Sequence, residues 1–178
     1  DCNLCGLTQT GGVPENKNPH ILVLGAGFGG LTFCQHFRHP SAQVTIVDRT
    51  NHHLFQPLLY QVAAAGLSAP DIAQPVRSIL HRRNIVVLLD KVADFDLANK
   101  RVFLEMTTHT YDYLVLGLGG CTSYFGHPEW EQFAPGLKTL DDALRIRSRV
   151  LLAFEKAETT TDTSARERLM TIVIVGGG

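Results

Sequence analysis

Three glycines and an acid carry the clearest chemistry in this chain. Gly25, Gly27 and Gly30 stand in the order G-x-G-x-x-G within HILVLGAGFGG, and Asp48 follows 21 residues after Gly27. Each glycine has its own task in such a motif. Gly25 permits a tight turn, Gly27 lets a pyrophosphate approach the backbone, and Gly30 lets a helix pack close to a strand. A carboxylate about 20 residues further on takes a ribose hydroxyl pair. The chemistry implied is the anchoring of a dinucleotide. The device starts again at the other end, where Ile172 to Val175 run into Gly176, Gly177 and Gly178.

Other reactive residues read more plainly. Cys2 and Cys5 form a C-x-x-C in a polar stretch rich in Gly, Asn and Pro. Two thiolates at that spacing could share a metal or form a disulfide, but a zinc site needs four ligands and no second pair lies nearby. Residues 1–19 are therefore read as a flexible leader. Cys34 falls among apolar residues and reads as a buried spectator. His52 and His53 have a side-chain type suited to proton handling, although adjacent loop histidines are more often packing or surface groups. Arg77, His81, Arg82 and Arg83 form a small basic patch, read as a solvated helix end or a phosphate contact.

The elements that must position the glycines and the acid are legible around them. His20–Leu24 reads as a fully buried strand of a parallel sheet. The helix after it, roughly Gly29–Arg38, presents Leu31, Cys34 and Phe37 at helical spacing and stops before Pro40. Its amino end faces the phosphates with its amides and dipole. A second buried strand, Val44–Val47, delivers Asp48. After a long excursion with helical pieces, Ile85–Leu89 and Val102–Leu104 are β-rich runs. The turn-forming DLANKR lies between them, and together they suggest a small antiparallel insert. Tyr113–Leu116 is a further buried strand running into Gly117, Gly119 and Gly120. Thr139–Glu158 reads as a helix, with Thr139 and Asp142 as a capping pair. Residues 159–170 read as a polar linker, and 171–178 as the first strand of another domain.

Composition bounds the rest. Apolar residues are 44% and charged residues 19% of 178, a globular balance rather than a disordered one. Sixteen basic against seventeen acidic residues give a net charge of −1, which argues against a nucleic-acid partner. No apolar run reaches the ~20 residues needed to span a bilayer.

The segments ILVLGAGFGGL, VTIVDRTNHHLFQPLLYQVAAAGLS, YDYLVLGLGGCTSYFG and FAPGLKTLDDALRIRSRVLLAFEKAE resemble type II NADH:quinone oxidoreductase, a single-subunit, non-proton-pumping, FAD-containing NADH dehydrogenase. The resemblance covers nearly everything from His20 to Glu158. It implies the two-dinucleotide, glutathione-reductase-like flavoprotein fold, α/β with a Rossmann-like FAD-binding domain. Residues 20–158 would be the amino-terminal part of that domain, and Gly176 and Gly178 the first two glycines of an NADH-binding domain that is cut short. This stretch alone would not oxidise NADH.

Residue roles follow by the same resemblance. Gly25, Ala26, Gly27, Phe28, Gly29 and Gly30 would wrap the FAD pyrophosphate, Asp48 would hold the adenosine ribose, and Arg49 could sit over the adenine or a phosphate. Gln56, Pro57 and Leu58 would lie nearest the flavin, though Leu58, Leu59 and Val62 are better read as core. Val92 would offer backbone contacts to adenine. Gly117, Leu118 and Gly119 replace the small-residue run with threonine common in the family. No catalytic side chain and no metal is expected, because the cofactor carries the hard step. The implied partners are NADH, a quinone and a membrane surface reached through a carboxyl-terminal region, with a possible homodimer. The implied location is the cytoplasmic face of the bacterial inner membrane, peripherally bound. Two alternatives stand beside this reading: a sulfide:quinone reductase-like flavoprotein, for which Cys121 is suggestive but LKTLDDAL supplies no second cysteine, and a flavin-binding module without turnover.

Overall fold

An unbroken run of apolar residues, His20–Leu24 (β1), pairs in parallel with Gln43–Asp48 (β2). The helix Phe28–His36 (α1) connects them. The computed structural model describes residues 18–81 and 84–176. These divide into two units, one built from the chain up to Asn51 with Leu80–Leu118, the other from His52–Ile79 with Gly119 onward.

In the first unit Ile85–Leu89 (β5) adds to β2, and Tyr113–Leu116 (β9) adds to β1, both in parallel. The sheet order is β5-β2-β1-β9. Numbered along the chain as parallel strands this is 3-2-1-4, the opening half of a doubly wound sheet. Ile85–Leu89, expected in an antiparallel insert, instead joins the parallel sheet as its edge strand beside β2, with Ile85 buried and Val86 and Leu89 exposed. The insert is instead Val92–Asp96 (β6), Arg101–Leu104 (β7) and Thr108–Thr110 (β8), an antiparallel sheet in the order β6-β7-β8.

Period-two alternation decides what each face of β1 meets. Leu22 and Leu24 join Val47, Val102 and Leu104 in a buried cluster, with Leu88, Val92, Tyr111 and Leu114 packed around it, so the insert covers one face of the parallel sheet. Val23 points the other way, towards Gly30 of α1, which buries Leu31 and Cys34. Each fully buried Leu or Val contributes about 1.5–3 kcal/mol. At the amino ends of the strands His20 acts as a brace. Its Nδ1 lies 2.7 Å from the Thr110 carbonyl oxygen and its Nε2 2.8 Å from the Thr45 hydroxyl. A carbonyl can only accept, so Nδ1 carries the proton and Nε2 accepts from Thr45. The His20 N–H also donates to the Asp112 carboxylate at 2.8 Å.

The second unit holds the excursion. His52–Leu54 (β3) and Ala73–Pro75 (β4) form an antiparallel pair. Between and after them come a 3₁₀ turn, Gln56–Leu58, and the short helices Leu59–Ala63 (α2), Ala69–Ile72 (α3) and Val76–Ile79 (α4). Leu59, Val62 and Ala63 of α2 bury against Ile72 and against Ala143 of the long helix Leu140–Thr159 (α5). That helix starts as the sequence indicates: Thr139 Oγ1 accepts from the Asp142 N–H at 3.1 Å, and the Asp142 carboxylate accepts from the Thr139 N–H at 2.9 Å. At the start of α3 the Asp71 carboxylate accepts from both the N–H and the hydroxyl of Ser68.

Two expectations for this unit differ from what forms. The stretch read as a polar linker is largely a helix, Thr163–Met170 (α6). Asp162 caps it by accepting from the Ser164 N–H at 2.9 Å, and Arg166 Nε donates to the Ala157 carbonyl of α5 at 3.1 Å. The run read as a first strand, Ile172–Val175, has no ladder partner among the described residues and lies exposed. A strand persists through paired backbone groups and burial, and the described residues supply neither at this position.

Candidate functional site

Two chain reversals meet at the carboxyl end of the parallel sheet. β1 ends at Leu24 and β9 at Leu116, side by side in register, and each runs directly into a glycine. The Gly117 N–H donates to the Leu24 carbonyl at 2.8 Å, and the Gly25 N–H donates to the Val47 carbonyl at 2.7 Å. Gly25 has φ +98°, the left-handed region that glycine tolerates best, and a Cβ there would overlap the Gly117 carbonyl oxygen. A Cβ on Gly30 would overlap the Gly25 carbonyl oxygen. Gly25, Gly30 and Gly117 thus form one close-packed knot of backbone, holding the start of α1 onto the ends of β1 and β9.

Gly27 and Gly29 are different. A Cβ on either would meet nothing within 4 Å, and Gly27 has an ordinary φ of −72° as the N-cap of α1. Neither backbone strain nor packing demands glycine at 27. What its missing side chain preserves is open space beside the first turn of a helix that has no acidic residue in that turn. Helix amino ends attract anions through their N–H groups and dipole. The residues present therefore fit the pyrophosphate of a dinucleotide. The location agrees with the general rule for open parallel sheets, in which ligands bind beyond the carboxyl ends of the strands where strand order reverses. Here that point lies between β1 and β9.

Asp48 is placed as the motif requires, at the end of β2, with its carboxylate already engaged. Oδ2 accepts from the Ala26 N–H at 2.6 Å, while Oδ1 accepts from the Thr50 N–H at 2.8 Å and the Thr50 hydroxyl at 2.9 Å. The acid therefore pins the glycine turn to β2. A carboxylate has about four acceptor positions, so capacity remains for a ribose hydroxyl. Arg49 is exposed directly after it, and Phe28 is half exposed on the first turn of α1. Val92 sends its side chain into the core cluster, leaving its backbone as the surface it offers. Leu118 is exposed just past the knot.

The remaining candidates sit in the second unit. Gln56 spends its side-chain amide locally, Nε2 donating to the Lys138 carbonyl at 3.0 Å. Leu58, Leu59 and Val62 are core, as their apolar spacing indicates. Gly119 and Gly176 both adopt positive φ, +73° and +86°. Gly178, like Cys2, Cys5, Arg82 and Arg83, lies outside the described residues. His52 and His53 stand on β3 opposite Pro75 and Gln74. Burial pushes the Cys34 thiol up to about 11, which leaves it protonated and unreactive; Cys121 is exposed. Among the described residues no three His, Cys, Asp or Glu side chains gather as a metal site, and no helix is long and apolar enough to cross a membrane.

Reading the residues in order missed the packing role of Gly117. The signal was present in YLVLGLGG, an apolar strand ending in glycine like the first, but only the pairing of β9 with β1 reveals why that glycine is there.

Comparison with known proteins agrees with this geometry. Residues 19–178 match the family described as pyridine nucleotide-disulphide oxidoreductase. The type II NADH:quinone oxidoreductase NdhA of Mycobacterium tuberculosis is 47% identical over 97% of this chain and 38% of its own length. The type II NADH:quinone oxidoreductase Ndh of the same organism is 44% identical over 91% of this chain and 36% of its own. A solved structure of NDH2 from Plasmodium falciparum in complex with NADH superposes with a TM-score of 0.76 at 25% identity, covering 85% of this chain and 32% of that one. The chain thus spans a little over a third of the length of the two curated relatives.

Proposed function

Starting from a chain that belongs to the pyridine nucleotide-disulphide oxidoreductase family, we propose that it is the FAD-holding portion of an enzyme that passes electrons from NADH to a quinone without pumping protons. The observation that carries the reading is the knot of Gly25, Gly30 and Gly117 beside the open amino end of α1. It is a built pyrophosphate cradle at a sheet switch point, in a chain whose relatives are named for NADH and quinone.

When bound, the flavin supplies the two-electron chemistry between nicotinamide and quinone. This chain's residues bind and orient it. Gly27 and Gly29 keep side chains out of the phosphate's path, and the first-turn amides of α1 supply positive potential. Asp48 holds the Ala26 amide in place and offers its remaining acceptor capacity to the adenosine ribose. Arg49 stands beside it to face a phosphate or the adenine. Val92 contributes backbone at the adenine end. On the flavin side the reading uses Gln56 and the Gly117–Leu118–Gly119 turn, and NADH would engage the glycines that begin with Gly176. Beyond this chain, the same reading puts the complete protein peripherally on the cytoplasmic face of a bacterial inner membrane, with homodimerisation open to test.

The relatives' names favour NADH over sulfide as the electron source, and Cys121 has no cysteine partner in LKTLDDAL to handle sulfur. The deciding experiment is an anaerobic titration of the protein expressed from its complete gene, following flavin absorbance. Bleaching by NADH and recovery on adding a quinone are expected. Bleaching by sulfide but not by NADH would transfer the assignment to a sulfide:quinone reductase. A flavin that neither donor bleaches would leave a binding module without turnover.

A further inference from the structure

Where β5 ends, the chain leaves the parallel sheet for the antiparallel one, and Asp90 stands at the corner. Its backbone N–H donates to the Asp48 carbonyl at 3.0 Å, extending the β2·β5 ladder by one rung. Its carboxylate binds the opposite side of the corner. Oδ1 accepts from the N–H of Lys91 at 2.8 Å and of Met106 at 3.3 Å, and Oδ2 accepts from the Thr107 hydroxyl at 3.1 Å. With the hydroxyl proton directed at Asp90, the His109 Nε2 found 3.1 Å from Thr107 Oγ1 serves as its donor. The Lys91 carbonyl in turn accepts from the Glu105 N–H at 2.9 Å. Residues 90 and 91 are therefore clamped between the end of β2 and the turn joining β7 to β8. Desolvation draws the Asp90 pKa upward, but the donors from Lys91, Thr107 and Met106 more than offset it and hold the group below the usual carboxylate range. It remains an acceptor throughout the neutral range.

A second observation lies immediately beyond. Val92 pairs with Leu104 but Asp94 pairs with Phe103, so a β-bulge falls between them. Bulges re-aim the backbone, and they gather beside binding sites. The sheet order says what could lie against this corner. Counting away from the switch point, the strands run β1, β2, β5. A dinucleotide with its pyrophosphate at α1 and its ribose at Asp48 carries its base on towards the end of β5, over residues 90–92.

We infer that Asp90 is a positioning residue: it fixes the Lys91–Val92 backbone as the wall that reads the adenine end of the cofactor, and so sets the preference for an adenine dinucleotide over a flavin mononucleotide. The inference rests on the FAD assignment above, and the two fail in different ways.

The test uses the complete protein, stripped of flavin and titrated separately with FAD and with FMN, alongside thermal melts of the ligand-free form. Asp90→Ala should weaken FAD about ten-fold while FMN changes by no more than about two-fold, because only FAD carries the adenosine half. Asp90→Asn keeps the Oδ1 acceptor and should fall between Asp90→Ala and the native protein. Thr107→Val, which removes one donor and spares the fold if Asp90→Ala does not survive, should weaken FAD about three-fold with FMN again unmoved. Equal loss of FAD and FMN, or an unchanged ratio in a folded variant, overturns the inference and makes Asp90 a scaffold residue only. A native protein that takes up neither flavin overturns the FAD assignment itself.

Discussion

Ile21-Leu22-Val23-Leu24-Gly25 and Ile172-Val173-Ile174-Val175-Gly176 are nearly the same peptide, and their glycines adopt nearly the same backbone, φ +98° and +86°. Everything beyond the turn differs. The first four residues are at most 4% exposed, lie between two parallel partners and feed a helix that returns to them; their counterparts are at least 55% exposed and have no ladder partner among the described residues. A left-handed glycine turn after an apolar run is common to both. It becomes a cradle for an anion only where neighbouring strands hold the turn and a helix presents its amides.

That contrast can be broken most directly at the glycines. In the complete protein, Gly30→Ala should cost about 3–5 kcal/mol and abolish flavin retention, since the new methyl would occupy the Gly25 carbonyl oxygen's position and backbone cannot step aside cheaply. In the 178-residue chain alone, Gly176→Ala should cost about 1 kcal/mol, the local penalty for a left-handed alanine, because no described atom lies within 4 Å of the added carbon. Thermal melts with flavin content compare the two. Equal losses would mean that the second glycine is packed as tightly as the first.

The next effect sharpens the division inside the first motif. Asp48→Ala leaves the buried Ala26 amide without its acceptor and should cost about 1–3 kcal/mol. Gly27→Ala should leave the ligand-free stability unchanged or raised by about 0.5 kcal/mol, while weakening flavin at least several-fold. Flavin titration against the ligand-free melt separates packing glycines from the one that keeps space. If Gly27→Ala destabilises the empty protein as Gly30→Ala does, the distinction between them is wrong.

The smallest effect concerns the helices of the second unit. Desolvation draws the Asp142 pKa upward, but the Thr139 hydroxyl and the Thr139 and Lys138 amides more than offset it; Asp71 is lowered by Ser68. A lowered folded pKa means that the caps stabilise above the ordinary carboxylate value and lose that contribution as pH falls through the folded value. Stability should therefore decline below about pH 4. Melting curves of the native protein and of Asp142→Asn should converge as the pH is lowered through that window. A constant gap between them would sink the prediction.

The parts legible in the sequence were those whose signals are local. The glycine turn with its helix, the strand Tyr113–Leu116 and the Thr139–Asp142 cap depend on residues within a few positions of one another, and Asp48 was found by its spacing 21 residues past Gly27. All of these elements form, although Tyr113–Leu116 was read as buried and its two end residues are exposed. The sheet membership of Ile85–Leu89 was not legible, because an apolar run does not say which strand it pairs with. Helix α6 was hidden by its polar composition, although Asp162 was its cap all along. The task of Gly117 and the clamp of Asp90 arise only when segments far apart in sequence are brought together, so no window of neighbouring residues contains them.

That distance has a consequence for how the protein is made. His20 and Asp112 lie 92 residues apart, and Gly25 and Gly117 share that separation. At about 5–20 residues per second, a ribosome needs roughly 5–20 s after finishing the first glycine turn to supply the second. Through that interval the flank of β1 destined for β9 is an open edge. Loop closure over such a span adds entropy that only β9's arrival can offset. The cradle thus closes only after Gly117 has been made, 92 residues behind the turn it completes.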